Sequence, residues 1–415
     1  IYGDTVTLER LYLDLPAIVD TFTTQINERV KEVGVLHNLI NEDKSWDVTI
    51  WNPYAMHSLL GQMYLEVRNY GAAIDHFEKI IFYQRYNDGN LRFGLDATFR
   101  NSNWKKIFTG INVDEHILTL WFNKAYQQQN QLQFLFSTEP PNQYMLKPTR
   151  TAVERWESIW TGYSRFENTD NWDLTYTDIF GLPGDFHRGY KVSYIYQKNG
   201  FIMESSDVRD MLELKRLQNE KGVREMMISV DTIVYKYSIG KNSFDQDANF
   251  PVFRAAGIHL YYAEIYANWR FPDASGIVKP DVFQSLNVLN DGTYDYDNRQ
   301  LGIRGRVGFG KGAHAIQLTD PIYIHDPETN EVAGYLDYSG NLQAKQRYLE
   351  DQIMDERIRE MAFEGERFYD LMRVARRRGD PAYLADRVAA KFNSPKREQI
   401  REYLMNEENW YIKLR

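Results

Sequence analysis

Five residues between positions 60 and 77 restrict this chain more than any others. Leu60-Gly61, Tyr64, Ala73 and Phe77 fall within NPYAMHSLLGQMYLEVRNYGAAIDHFEKIIFYQ, on either side of a polar turn at Arg68 to Gly71. Two antiparallel helices are predicted there, because apolar residues at steps of three and four draw one stripe along each arm. The residue sizes interlock. Gly61 and Ala73 leave room for close approach, and Tyr64 and Phe77 fill the space between neighbouring pairs. Such a pair cannot bury its outer face alone, so other helices must flank it.

That order, L-G-x-x-Y followed by A-x-x-x-F, is the register of a tetratricopeptide repeat. FRAAGIHLYYAEIYANW, with Ala256, Leu260, Ala263 and Ala267 at helical spacing, is predicted as the first helix of another pair. An earlier helix is predicted from Leu8 to Glu32, with Asp14 capping it and Pro16 in its first turn. Strands interrupt this pattern. KVSYIYQKNGFIME alternates around an Asn199-Gly200 turn, VDTIVYKYSIG reads as another strand, and IYIHDPETNEVAGYLDY has two alternating arms around a polar turn. The predicted class is mainly α: a tetratricopeptide-repeat superhelix packed against an irregular, loop-rich half with small β-hairpins.

Charge and composition remove several functions. The balance of 49 basic and 58 acidic residues leaves a net charge of -9 without a basic stripe, which opposes a nucleic-acid footprint. No run of 18 apolar residues occurs. Cysteine is absent, which excludes a thiol nucleophile, a thiolate metal site and a disulfide within this sequence. The eight histidines show no metal-ligand spacing, and no cofactor or metal is expected. GIRGRVGFGKGAH imitates a phosphate-binding loop from Gly305 to Lys311, but Gly312 stands where the magnesium-binding hydroxyl belongs, so it reads as a plain loop. Asp245 with Asp247, and Asp295 with Asp297, have the residue type for a glycosidase pair or for calcium; solvated turns explain both.

The aromatics are better candidates where they interrupt polar loops. Trp46 and Trp51 flank Asp47 to Ile50 just before the repeat, Trp172 and Tyr176 lie in ENTDNWDLTYTD, and Tyr294 and Tyr296 lie in DGTYDYDN. A ring beside Asp, Asn and Thr offers a stacking face with hydrogen-bonding neighbours, which suits a sugar or an extended peptide. These six are the predicted ligand-binding residues.

QIMDERIREMAFEGERFYDLMRVARRRG concentrates acids and arginines in a way that first suggests catalysis. Met354, Ile358, Met361, Phe368, Met372 and Ala375 form one stripe, with Gly365 in its gap, so one helix is predicted to run on to Gly379. Gly365 is expected on the buried face, under another backbone. The charges fall at pairing distances, such as Glu364 with Arg367 and Asp370 with Arg373. Matched charges make poor catalysts, so the expected role is structural.

This helix resembles the signature of the SusD/RagB family, E-R-x-x-E-x-x-x-E-G-x-R-x-x-D-L-x-R, at Glu356-Arg357, Glu360, Glu364-Gly365, Arg367, Asp370-Leu371 and Arg373. Arg254, Ala256, Leu260, Ala263 and Glu264 are similar to a second family helix, with Gly257 in place of the usual acid, and NWYIKLR is similar to the family's W-x-I-P ending. The resemblance implies a single SusD-like unit over 1–415. Tetratricopeptide-type helices would occupy 8–135, a mixed loop and β ligand-facing region 136–250, and further repeat helices with a hairpin insertion 251–415, with the signature helix at 350–379. It also implies a non-catalytic lipoprotein of the outer membrane and cell surface. Such a protein captures oligosaccharide and passes it to a SusC-type TonB-dependent transporter, and the lipid anchor is expected upstream of Ile1. Three rival functions stand beside it: the same role with peptide ligands, a glycoside hydrolase, and a tetratricopeptide scaffold for a protein partner.

Overall fold

The computed structural model describes residues 14–30, 48–82, 93–95, 106–109, 114–122, 135–136, 145–157, 190–198, 201–205, 227–234, 249–269, 282–290, 302–305, 315–318, 321–325, 332–337 and 341–411. The first elements are helices α1 (Leu15–Val30), α2 (Pro53–Glu66), α3 (Tyr70–Ile81) and the short α4 (Lys106–Thr109), then strand β1 (His116–Leu120) and helix α5 (Arg150–Glu157). Strands β2 (Tyr190–Lys198), β3 (Phe201–Ser205), β4 (Met227–Val234) and β5 (Phe250–Arg254) follow, and β5 runs directly into α6 (Ala255–Trp269). After α7 (Val282–Leu289) come strands β6 (Ile322–His325) and β7 (Val332–Leu336). Helices α8 (Leu342–Met361), α9 (Arg367–Arg378), α10 (Pro381–Ala389) and α11 (Lys396–Leu404) complete the series. The described part is mainly helical, as predicted.

The α2–α3 pair packs by the predicted mechanism. A Cβ on Gly61 would sit 2.3 Å from the Phe77 ring, so only glycine lets the two helices approach this far. Phe77 is fully buried and stacks on Tyr261 of α6, with ring centroids 5.9 Å apart. Tyr64 stacks on His76, and its hydroxyl accepts a hydrogen bond from Asn27 of α1 at 3.2 Å. Each face of the pair thereby meets a flanking helix. Helix starts follow the sequence signals: Asp14 accepts from the Ala17 N–H at 2.9 Å, and Asn52 accepts from the Ala55 N–H at 2.9 Å just before Pro53.

Among the described residues three antiparallel sheets accompany the helices: β1 with β5, the order β3-β2-β4, and β6 with β7. Lys198 pairs with Phe201, which leaves the two residues of the predicted Asn-Gly turn between the strands. The main core gathers α3, α6, α8, α9 and α10 around Leu260, Ala263, Ile353, Leu371, Val374 and Leu384.

The long signature helix is two helices. α8 ends at Met361 and α9 starts at Arg367; between them Phe363 and Gly365 take positive φ values of 65° and 90°. Gly365 is exposed, and a Cβ placed on it would meet nothing within 4 Å. The glycine therefore serves a left-handed backbone position, and the expectation of a buried close approach is corrected. The predicted stop is present: Gly379 has φ 61° and its N–H bonds back to Ala375 and Arg376.

Candidate functional site

The charges of the signature segment lie inside the protein. Arg254, at the junction of β5 and α6, donates to Glu364 at 2.7 and 2.8 Å, to Glu360 at 2.7 Å and to Glu115 at 3.3 Å. Arg373 makes a two-bond fork to Glu264 at 2.9 and 2.8 Å and reaches Asp370 at 2.7 Å. Arg357 bonds Asp370 at 2.8 Å and lies 4.0 Å from the centre of the Tyr261 ring. Glu364 pairs with Arg254, 110 residues away, and the predicted Glu364–Arg367 pair does not form; Asp370–Arg373 does.

Electrostatics follow from this matching. Burial alone would depress the Arg254 guanidinium, and Glu364, Glu360 and Glu115 reverse that and raise it. Burial alone would raise the Glu264 carboxyl, but Arg373 and Arg377 hold it down at about 2. A carboxyl so firmly ionised donates no proton near neutrality, and the matched pairs tie the helices that carry them together.

Of the six predicted ligand residues, Trp51 is described; Trp46, Trp172, Tyr176, Tyr294 and Tyr296 lie outside the described residues, as do Asp245, Asp247, Asp295, Asp297 and Lys311. Trp51 is 52% exposed, and its ring meets the edge of Phe253 at 6.4 Å. Its backbone is fixed by Asn52, which caps α2 and donates to the Ile117 carbonyl of β1 at 2.8 Å. Ile50 beside it is also exposed. Trp51 is thus a ring on a rigid mount at the α2–β1 corner.

A second aromatic face was not anticipated. Tyr323 of β6 and Tyr335 of β7 are direct cross-strand partners, so both side chains leave the same face of the hairpin. They are 51% and 66% exposed, whereas Ile322, on the opposite face, is 2% exposed and anchors the hairpin to the protein. Neither tyrosyl hydroxyl has a hydrogen-bond partner among the described residues. The alternation of IYIH and VAGYL carried the signal, since it places one tyrosine of each arm outward once the pairing register is known. No ring contact joins Trp51 to this pair. Two exposed ring platforms result, and both suit stacking against a flat apolar ligand face.

The family model described as the SusD family matches residues 81–412. Among solved structures, a SusD-like carbohydrate binding protein from Bacteroides fragilis has 14% identity and a TM-score of 0.51, over 87% of this chain and 58% of its own. A SusD superfamily protein from Bacteroides vulgatus has 15% identity and a TM-score of 0.47, over 91% and 60%. Surface glycan-binding protein A from Bacteroides thetaiotaomicron has 14% identity and a TM-score of 0.43, over 92% and 66%. The chain therefore spans less than two thirds of each of these structures. No curated protein matches it.

Proposed function

The chain belongs to the SusD family, and on that premise we propose that it is a non-catalytic nutrient-binding protein of the cell surface that captures oligosaccharide. The observation on this chain that carries the reading is the outward pair Tyr323 and Tyr335, two exposed rings whose hydroxyls have no partner among the described residues, on a hairpin whose other face is anchored by Ile322. A pyranose ring has one apolar face and a rim of hydroxyls. Stacking on a tyrosine ring takes the first, and a neighbouring phenol bonds the second. Trp51 supplies a further stacking ring, and we assign Trp46, Trp172, Tyr176, Tyr294 and Tyr296 to the same kind of contact.

The family also supports the remainder of the proposal: anchoring to the outer membrane through an N-terminal lipid, and delivery of bound glycan to a SusC-type TonB-dependent transporter. Binding to a panel of neutral oligosaccharides, followed by calorimetry on the best of them, tests the capture step. Replacing Tyr323 and Tyr335 with alanine should weaken that binding, and a folded double variant that binds undiminished would refute the assignment of this face. Release of new reducing ends from any glycan of the panel, lost on replacing one carboxylate, would turn the reading into a hydrolase.

A further inference from the structure

Elsewhere in the fold, a cavity of about 530 Å³ opens between α5, the end of α8, the start of α9 and the end of α10. Lys147, Arg155, Arg357, Arg367, Arg387 and Lys391 bring six positive charges to its lining, against the two carboxylates Asp370 and Asp386. Both carboxylates are already engaged, Asp370 by Arg357 and Arg373 at 2.8 and 2.7 Å, and Asp386 by Arg401 at 2.6 Å. Arg155 has Asp355 at 3.1 Å, whereas Arg387 reaches Asp351 only at 3.7 Å and lies over the Tyr383 ring.

Arg367 and Lys391 are different. Arg367 donates to the Met354 carbonyl at 3.2 Å, and neither side chain forms an ion pair among the described residues. Burial depresses the Arg367 guanidinium, and Asp370, Tyr383 and Asp355 do not offset it; Lys391 stands exposed at the mouth, and the partial burial of its ammonium and then Arg367 lower it. Arg254, Arg357, Arg373 and Arg377, by contrast, are raised by their carboxylates. Two cations that repel each other therefore line a common space without an ion-pair partner among the described residues.

The remaining walls are apolar, formed by Ile358, Met361, Phe363 and Leu371. The volume falls within the range of about 300–1,000 Å³ usual for small-molecule sites. A guanidinium fork suits a planar carboxylate, and an ammonium adds a point charge. Asp386 on the rim opposes a multiply charged anion. We propose that this cavity is a second binding site, for a small monoanionic ligand that carries its carboxylate on a body with an apolar face.

Calorimetry at low salt with D-glucuronate against D-glucose, and with N-acetyl-Ala-Ala against N-acetyl-Ala-Ala amide, tests the class and separates an acidic sugar from a peptide C-terminus. The carboxylate of at least one pair should bind saturably while its neutral counterpart does not. Lys391→Ala should weaken that binding roughly fivefold, and Lys391→Glu should abolish it in protein that is folded by circular dichroism. Tyr323→Ala with Tyr335→Ala should leave it unchanged. Equal behaviour of charged and neutral probes, tighter binding of inorganic phosphate than of either carboxylate, or indifference to Lys391→Glu would each overturn the proposal.

Discussion

The joint of α6, α8 and α9 and the face of the β6–β7 hairpin invert the usual distribution of residues. At the joint, arginines and carboxylates are buried, with Arg254, Glu360 and Glu264 at 2% exposure or less; on the hairpin, Tyr323 and Tyr335 stand half in water. The joint contains its own partners, since each charge meets the opposite one at hydrogen-bond distance. The rings of the hairpin have no such complement among the described residues. Unusual burial alone does not mark function; what separates the two regions is whether the protein already supplies the matching surface.

The largest test breaks the joint. Arg254→Met leaves Glu115, Glu360 and Glu364 buried together without their cation, and should cost about 3–5 kcal/mol in chemical denaturation. A loss under about 1 kcal/mol would mean that the carboxylates escape to water and that the region is softer than its geometry. Acid provides the next test. Glu264 keeps its charge to about pH 2 against an ordinary value of 4.5, so its stabilisation is complete above pH 4.5 and is lost as pH falls towards 2. That loss amounts to about 3 kcal/mol.

An earlier decline belongs elsewhere. Burial, with Lys79 nearby, depresses His57 to about 3 and His76 to about 4 from 6.5, so their contribution is present above pH 6.5 and fades below it. Thermal melts across pH 7 to 2 should show both stages. Gly365→Ala should cost about 1–2 kcal/mol, from the left-handed backbone alone. If the substitution were neutral, the break between α8 and α9 would not need this conformation. The smallest effect concerns the hairpin: the double Tyr323→Ala, Tyr335→Ala variant should shift stability by no more than about 0.5 kcal/mol. Its glycan affinity should fall about tenfold, or about 1.4 kcal/mol. A large loss of stability would make the tyrosines part of the core and end the contrast.

The local grammar of the sequence was readable where each residue answers to its near neighbours. The Leu60-to-Phe77 pair, the Asp14 cap, the Asn-Gly hairpin and the Gly379 stop all depend on spacings of a few residues. The break at 362–366 was hidden because the three-and-four spacing continues through it, and a glycine in a gap looks alike in a packed helix and in a turn. The partners of the buried charges were hidden for a different reason. Glu364 and Glu264 lie more than 100 residues from Arg254 and Arg373, so no local rule selects them over nearer opposite charges. The tyrosine pair needed a register: IYIH and VAGYL alternate whichever way they align, and only the pairing of Tyr323 with Tyr335 sets both rings on one face.

Arg254 ties Glu115, Glu360 and Glu364 at sequence distances of 139, 106 and 110 residues. While the chain is still open these charges gain more from water than from one another, and three distant segments must arrive before the arginine can be dehydrated at a profit. The cluster is therefore expected to close after the helical pairs have formed, on the native side of the folding barrier. Weakening it should accelerate unfolding far more than it slows folding. The same residues would then act as a late latch, setting how long the folded protein lasts and not how fast it assembles.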